Sequence, residues 1–263
     1  MPFVAKRAFE WEPVIIRADW GLRDVPAGIA YPLCNSVRCT NCGLLFLDIR
    51  FDDAEMAALY RDYREDEYVS LRERFEPGYR ERNAELVAES RFLRTVEMFL
   101  ARHIAGPVRI LDFGGDTGLN TPMRSLAMLH HIFDISAKPL IPQAQRVTAR
   151  EIAAQEYDLI VLRHVLEHIP FPADILDRAA SAMSSETKIY IEVPHEELMR
   201  VHGGEDRLET RKTHWHEHVN FFTLSSIDAL LSGSGLAIQD AASLDVSASG
   251  APYHIFAVVA GKI

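Results

Sequence analysis

Short apolar runs alternate with longer amphipathic stretches along the last two-thirds of the chain. After Pro107 the runs are strongly apolar and rich in Val, Ile and Leu. Continuous apolar runs of this kind are typical of parallel strands that helices cover on both faces. The predicted strands span residues 108–113, 130–134, 146–148, 158–162, 188–193, 236–241 and 253–259.

The last two predicted strands have only residues 243–251 between them, too few for a crossover helix. An antiparallel pair needs only a short connection, whereas a parallel pair needs a crossover that usually contains a helix. We therefore predict that these two strands pair antiparallel at one end of an otherwise parallel, seven-stranded α/β sheet.

The first 105 residues have a different pattern. Apolar positions recur at helical spacing from residue 51 to 103, and the interruption at Pro77-Gly78 divides them into two predicted helices. Prolines, glycines and cysteines break up the residues before that and predict a small module with few strands. We expect three parts: the cysteine-containing module (1–50), a helical cap (51–105) and the sheet domain (106–263).

Composition narrows the choice of partner. The 263 residues carry a formal net charge of -10 and contain no basic run. Binding to nucleic acid needs a surplus of Lys and Arg on one face, so a small-molecule partner is favoured over nucleic acid. No apolar stretch is long enough to span a membrane, and three cysteines do not make a disulfide framework. We expect a soluble, cytoplasmic protein.

A strand that ends in an acid and a glycine-rich turn is the first candidate for binding chemistry. Asp112 closes the first predicted strand, and Gly114, Gly115 and Gly118 follow it before an expected helix. Glycines let the backbone approach a ligand, and a helix N-terminus offers N–H groups to it. Asp134 closes the second predicted strand, where nucleotide-binding α/β domains place a carboxylate for ribose hydroxyls. A turn or N-cap role for Asp134 is the alternative.

Two histidine-rich runs are further candidates. His164 and His168 enclose the sequence His-Val-Leu-Glu-His, which on a helix resembles the metal motif of inverted zinc proteases. Pro170 and Pro172 follow closely and cut short the helix that such a site needs. Three histidines alternate within residues 214–218 and share one side of an extended segment, either as an active-site wall or as a metal cluster.

The glycine-rich turn, the acid of the second strand and the run from residue 157 to 169 together resemble the class I S-adenosylmethionine-dependent methyltransferases. The resemblance covers residues 108–263, and His-Val-Leu-Glu-His is its most specific part. It implies a Rossmann-like sheet with strand order 3-2-1-4-5-7-6 and S-adenosylmethionine as the cofactor. The implied cofactor-binding residues are Asp112, Gly114, Gly115 and Gly118 for the methionine part, Asp134 and Ile135 for the ribose and adenine, and Arg163 and His164 as flanking groups.

Asp116 departs from that family pattern, because it stands where a glycine is usual. A carboxylate is unfavourable beside a pyrophosphate but acceptable beside a sulfonium cation. Asp116 therefore argues against a dinucleotide more than against S-adenosylmethionine.

The second histidine run resembles the sugar C-methyltransferases, in which a Tyr-x-Glu-His segment faces the substrate. Glu217 and His218 match the Glu-His pair, His168 matches a turn histidine opposite, and Trp215 stands where those enzymes have tyrosine. The resemblance implies that His168, Glu217 and His218 are the catalytic residues. It also implies an acceptor that is a sugar or nucleotide-linked sugar, methylated on carbon or oxygen. This scheme requires no metal.

The sugar methyltransferases also begin with a zinc-binding module of two Cys-x-x-Cys pairs. Cys39 and Cys42 resemble the second pair, the first pair is absent, and Cys34 supplies a third thiol only. Structural zinc nearly always has four protein ligands, so we expect a metal-free remnant of this module.

Two other functions stay open at this point. A metal-dependent hydrolase would use His164, His168 and the histidines of residues 214–218. A non-catalytic relative would keep the fold as a binding protein.

Overall fold

Helices and short strands make up the N-terminal part of the computed structural model, which describes residues 2–12, 14–21, 27–30, 35–48, 50–86, 88–211, 217–246 and 253–263. The elements are α1 (Pro2–Phe9), β1 (Val14–Ile16), β2 (Gly28–Ala30), β3 (Ser36–Arg38), β4 (Leu45–Leu47), α2 (Asp53–Tyr60), α3 (Asp66–Phe75), α4 (Tyr79–Leu86) and α5 (Leu93–Leu100).

The prediction of two helices between residues 51 and 103 is wrong, because the described part of that segment contains four. Asp52 begins α2 with a capping box in which its side chain accepts from the backbone of Glu55. Asp62 and Arg64, with φ of 51° and 63°, then end that helix in a left-handed turn before α3. The break at Pro77-Gly78 was predicted correctly and separates α3 from α4.

The C-terminal part forms the seven-stranded sheet. Its elements are β5 (Val108–Phe113), β6 (Ala127–Phe133), β7 (Gln145–Arg146), α6 (Ala149–Ala153), β8 (Leu159–Arg163), α7 (Pro172–Ser181), β9 (Lys188–Pro194), α8 (Glu197–His202), β10 (Asn220–Phe221), α9 (Leu224–Gly233), β11 (Leu236–Asp245) and β12 (His254–Lys262).

The predicted topology is confirmed. The sheet runs β7-β6-β5-β8-β9-β12-β11, which is the order 3-2-1-4-5-7-6 when its strands are numbered along the chain. The pairs from β7 to β9 are parallel, and β12 runs antiparallel to both β9 and β11. Asp245 pairs with His254, so the last two strands form the short-connected antiparallel pair that the sequence indicates.

Helices cover the two faces of this sheet unequally. On one face, α6, α7 and α9 bury Ile152, Leu176 and Ile227 against β5, β8 and β9. On the other face, α5 buries Val96 and Phe99 in a cluster with residues of the same strands. Each such side chain contributes about 1.5–3 kcal/mol when it is fully buried.

The α-helix expected after the glycine-rich turn is absent from residues 114–126, which form turns and a short 3-10 helix, Arg124–Leu126. Met123 explains the difference: it has a left-handed φ of 62°, and its side chain is buried against the α5 face. Its backbone N–H also donates to Glu97 of α5 at 3.0 Å. A tertiary contact has replaced the local helix.

A small antiparallel sheet links the N-terminal part to the end of the chain. β4 lies between β3 and β10, and Phe46 pairs with Asn220. Val219 packs in the same cluster as Phe3, Tyr68 and Tyr79 of the N-terminal helices. Residues 217–221 are therefore held between the N-terminal helices and the main sheet. Within the described ranges, no helix combines the length and apolarity needed to cross a membrane.

Candidate active site

The glycine-rich side of the site comprises residues 112–138, at the carboxyl ends of β5 and β6. Gly114 has φ of 74°, and a Cβ there would lie 2.6 Å from Val165 Cγ2. A Cβ on Gly115 would lie 2.7 Å from Asp112 Cγ. Only glycine lets this turn fold directly onto the end of its own strand.

Asp112 is buried beneath this turn. Thr121 donates a 2.6 Å hydrogen bond to its Oδ2, while Oδ1 has no partner among the described residues. Burial raises the pKa of Asp112 to about 7. A buried carboxylate oxygen without a partner is costly in the free protein and suits a donor group brought by a ligand.

Asp134 organises the neighbouring turn. Its Oδ2 accepts from the backbone N–H of Asp116 at 2.8 Å and its Oδ1 from that of Ser136 at 2.6 Å. The turn role is thus present, while ribose binding by Asp134 stays a prediction. Ile135, the neighbouring predicted contact, is 77% exposed.

The carboxylate of Asp116 is compensated by its neighbours. Lys138 Nζ lies 3.0 Å from one oxygen, and Ser136 donates to the other at 3.2 Å. Asp116 adopts a left-handed φ of 52°, a strain of about 1–3 kcal/mol for a non-glycine residue. Asp116, which stands where the family usually has glycine, is therefore held by an ion pair and a hydrogen bond.

The histidine side of the site comprises residues 163–168, 192–196 and 217–218. Arg163 Nε and His164 Nε2 lie 2.9 and 2.8 Å from Oε1 of the buried Glu192, and Tyr190 donates to Oε2 at 2.7 Å. Burial would raise the pKa of Glu192, but Arg163 and His164 lower it to about 2. Burial would lower the pKa of His164, but the carboxylates of Glu192 and Glu167 raise it to about 9. His164 is a cation between two carboxylates at neutral pH.

The protease-like interpretation of His-Val-Leu-Glu-His is wrong in its geometry. Residues 166–168 form a turn, and His164 has a left-handed φ of 53° that no α-helix accommodates. His164 Nδ1 lies 3.2 Å from Glu167, while His168 Nδ1 lies 3.2 Å from the carbonyl of Glu217. The two histidines therefore do not share one face of a helix.

The three predicted catalytic residues, His168, Glu217 and His218, lie together. The rings of His168 and His218 meet edge to face with centroids 4.6 Å apart. The backbone N–H of Val219 donates to the carbonyl of Glu167 at 2.8 Å and fixes the two segments to each other. Residues 49 positions apart in sequence thus form one wall.

Arg72 of α3 neutralises Glu217. Its two terminal nitrogens lie 2.6 and 2.8 Å from the two carboxylate oxygens, and its guanidinium packs over the ring of Tyr79. Burial would raise the pKa of Glu217, but the hydrogen bonds of Arg72 lower it to about 2. Glu217 is therefore an ionised positioning group and a poor proton acceptor.

The pKa values of His168 and His218 shift in opposite directions. Burial and the nearby charge of His218 lower the pKa of His168 to about 4. Because a carbonyl oxygen only accepts, His168 Nδ1 carries the proton and Nε2 has the lone pair. Burial would lower the pKa of His218, but a 2.6 Å hydrogen bond to Glu196 raises it. His168 is therefore the neutral residue of this wall, with a lone pair on Nε2.

Several residues at the site were not identified from the sequence. They are Arg72, Lys138, Glu192 and Glu196. Glu192 gives a usable signal, since an acid near the end of an apolar strand, Lys188–Pro194, is unusual. Arg72 gives none, because it is one of two arginines on a polar helix and reaches Glu217 from 145 positions away.

Some predicted residues lie outside the described ranges: Cys34, His214, Trp215 and His216. Cys39 and Cys42 are described and occupy the turn between β3 and β4. Both are free thiols, and the Cys39 carbonyl accepts from Gly43 at 2.9 Å.

The sequence profile of the family described as "Methyltransferase domain" matches residues 60–241, more than half of the chain. The chain belongs to this methyltransferase family. The match includes the glycine-rich turn, the histidine side and Arg72 of the cap. Membership confirms the methyltransferase expectation at the level of the family and leaves the choice of sugar as acceptor untested.

Two curated relatives of this methyltransferase are both named ubiquinone biosynthesis O-methyltransferase. The one from Aeromonas salmonicida (strain A449) is 29% identical over 105 residues, covering 37% of this chain and 44% of that protein. The one from Hydrogenovibrio crunogenus (strain DSM 25203 / XCL-2) is 27% identical over 95 residues, covering 35% and 39%. The chain therefore spans less than half the length of these relatives.

A solved structure has the same fold as this methyltransferase. It is Burkholderia thailandensis 1,6-didemethyltoxoflavin-N1-methyltransferase with bound 1,6-didemethyltoxoflavin and S-adenosylhomocysteine. The match has a TM-score of 0.51 and 18% identity and covers 74% of this chain and 89% of that one.

Proposed function

We propose that the protein transfers a methyl group from S-adenosylmethionine to an oxygen or carbon atom of a small molecule. The observation that carries this proposal is the buried Asp112 beneath a glycine-rich turn, with a carboxylate oxygen that has no partner among the described residues. Asp134 adds a second carboxylate to the same side, and Asp116 adds a third whose charge Lys138 compensates. Such a group suits a ligand with a sulfonium and an ammonium charge and disfavours a pyrophosphate.

The cofactor contacts divide between the two sides of the site. Asp112, Gly114, Gly115 and Gly118 line its methionine part. Asp134 and Ile135 bind the ribose and adenine, and Arg163 and His164 flank it from the end of β8. The cofactor would supply a methyl group on positively charged sulfur, and the electron-rich atom of an acceptor in line with it would take that methyl group as the neutral thioether leaves.

His168, Glu217 and His218 act on the acceptor. The acceptor must lose a proton when its oxygen or carbon takes the methyl group, and general base catalysis by a positioned side chain contributes about 10²–10⁴-fold. The lone pair of His168 takes that proton directly, or holds a cation that makes the acceptor more acidic. Glu217 positions His168 through its backbone carbonyl, and Glu196 orients His218.

The acceptor proposed from the sequence is a sugar or a nucleotide-linked sugar. The names of the two curated relatives favour a second candidate, the hydroxyl of an aromatic ring, with methylation on oxygen. Both classes offer a hydroxyl whose ionisation the histidine side would promote.

Isothermal titration with S-adenosylhomocysteine tests the cofactor part of the proposal. We expect micromolar or tighter binding to the wild-type protein and binding at least ~10-fold weaker to Asp134→Asn, because each ribose hydrogen bond to a charged group contributes about 1.5–3 kcal/mol. The exposed Asp206→Asn is the matched control and should bind as the wild type does. Absence of binding to the wild-type protein would contradict the proposal.

Screening with methyl-labelled S-adenosylmethionine then identifies the acceptor class. Nucleotide sugars, free sugars and phenols are offered separately, and label in a sugar product supports the first candidate. Label in a phenol alone would replace it with the second.

A further inference from the structure

Three potential metal ligands converge at the histidine side. One ligand atom each from Glu167, His168 and His218 lies within 4.8 Å of the other two. Glu167 and His168 lie in the turn after β8, and His218 comes from the segment before β10. The hydrogen bond from Val219 N–H to the Glu167 carbonyl joins the backbones of these two segments.

Glu167 is buried, and within the described ranges only one oxygen of its carboxylate, Oε1, lies near a cation, with His164 Nδ1 at 3.2 Å. Its side chain is 2% exposed, and its Oε2 has no partner among the described residues. His168 Nε2 lies 3.9 Å from Oε1, which is beyond hydrogen-bond distance. A buried carboxylate without a full set of partners is costly, and a bound cation would remove that cost.

The other nitrogen of each histidine is already anchored. His168 Nδ1 donates to the Glu217 carbonyl at 3.2 Å, and His218 Nδ1 lies 2.6 Å from Glu196. A carbonyl or carboxylate behind the ring is the usual outer partner of a metal-binding histidine, since it fixes the tautomer and the ring orientation. For His168, this arrangement directs the lone pair of Nε2 towards a carboxylate, which is repulsive unless a cation lies between them.

We propose that Glu167, His168 and His218 bind a divalent transition-metal ion such as zinc, cobalt or manganese. Two imidazoles and one carboxylate are donors that zinc and its neighbours prefer, whereas magnesium and calcium prefer oxygen alone. Three protein ligands leave a coordination position for water or for an acceptor oxygen. In a tetrahedral site the ligand atoms would be ~3.4 Å apart, so the side chains approach by about 1 Å on binding.

The inference goes beyond the proposed methyl transfer and does not depend on it, because metal binding is measured without cofactor or acceptor. Two roles were proposed above for His168, proton acceptance and cation binding. The metal site assigns it cation binding. It also departs from the metal-free scheme that the sequence resemblance implies.

Titration with cobalt(II), followed by visible absorption, tests the site. The protein carries Cys34→Ser, Cys39→Ser and Cys42→Ser, so that thiolates contribute no binding, and is first treated with a chelator. We expect one equivalent of cobalt with a d–d spectrum of nitrogen and oxygen ligands, and competition by zinc. His168→Ala and His218→Ala should each weaken binding at least ~10-fold, and Glu196→Gln by ~10–100-fold through loss of the outer partner.

His202→Ala is the matched control, because His202 pairs with Glu205 outside this cluster; its cobalt affinity should equal that of the parent. Each variant is also titrated with S-adenosylhomocysteine to show that it is folded. Cofactor binding without stoichiometric cobalt binding, or cobalt binding unchanged in both His168→Ala and His218→Ala, would overturn the metal site alone. Cobalt binding without cofactor binding would overturn the proposed function alone.

Discussion

The two sides of the site are built in different ways. The glycine-rich side is local: residues 112–138 hold one another through short-range contacts such as those of Asp134 with Asp116 and Ser136. The histidine side is assembled from distant segments, since Glu217 reaches Arg72 across 145 positions. The first side therefore depends mainly on backbone conformation, whereas the second depends on the packing of the N-terminal helices on the sheet.

The difference also separates binding from chemistry. Changes on the glycine-rich side should alter cofactor affinity, and changes at His168, Glu217 and His218 or at their partners should alter turnover or stability. The following predictions test that separation, from the largest expected effect to the smallest.

His168→Ala should give the largest effect. Loss of its lone pair removes proton acceptance or cation binding, so turnover should fall by about 10²–10⁴-fold. The affinity for S-adenosylhomocysteine should stay within ~2-fold of the wild-type value, because His168 is proposed to act on the acceptor. Single-turnover assays with labelled cofactor measure the first quantity and calorimetry the second, with His202→Ala as the control. An equal loss of turnover and of cofactor affinity would mean that His168 does not act on the acceptor alone.

Arg72→Met should destabilise the fold more than it alters cofactor affinity. It leaves the largely buried Glu217 carboxylate without its bidentate partner, a loss of about 3 kcal/mol in the free energy of unfolding. Urea unfolding measures the change. Arg211→Met, which breaks an exposed pair with Glu205, is the matched control and should cost at most ~1 kcal/mol. Similar losses in both variants would mean that Arg72 contributes no more than a surface charge. Partial recovery of the free energy of unfolding in Arg72→Met/Glu217→Gln would show that the loss comes from the unpaired Glu217 carboxylate.

Gly115→Ala should weaken cofactor binding by about 10–100-fold. The added Cβ would lie 2.7 Å from Asp112 Cγ, so the turn has to shift. Overpacking of this kind costs about 1–3 kcal/mol of free energy. Gly204→Ala is the control, since nothing lies within 4 Å of its Cβ. Calorimetry with S-adenosylhomocysteine gives both values, and an unaffected Gly115→Ala would place the cofactor elsewhere.

Asp112→Asn should change how stability depends on pH. Burial raises the pKa of Asp112 to about 7 in the folded protein, whereas an unfolded aspartate titrates near ~4. Its stabilising contribution is therefore complete below pH ~4 and is lost as the pH rises through ~7. Relative to Asp112→Asn, the wild type should lose about 1–2 kcal/mol in free energy of unfolding between pH 6 and pH 8. Asp206→Asn should follow the wild type, and parallel curves for all three proteins would refute the buried-acid assignment.

How far the sequence predicts each side follows from the same contrast. The strands and the acids at Asp112 and Asp134 were predictable because apolar runs and strand ends are local patterns, whereas the strand order followed from the family resemblance. The missing helix after Gly118 was not, because Met123 and Glu97 of α5 compete with local helix formation. Arg72 was not predictable either, since an ion pair between distant segments leaves no trace in the spacing of either one.

The central claim is that the methyl donor binds independently of the acceptor residues His168, Glu217 and His218. Calorimetric titration of S-adenosylhomocysteine into wild-type, Gly115→Ala and His168→Ala proteins tests it most directly, without knowledge of the acceptor. The account predicts micromolar or tighter binding to the wild type, binding at least ~10-fold weaker to Gly115→Ala, and nearly unchanged binding to His168→Ala. No binding to the wild type, or equal weakening in both variants, would contradict it.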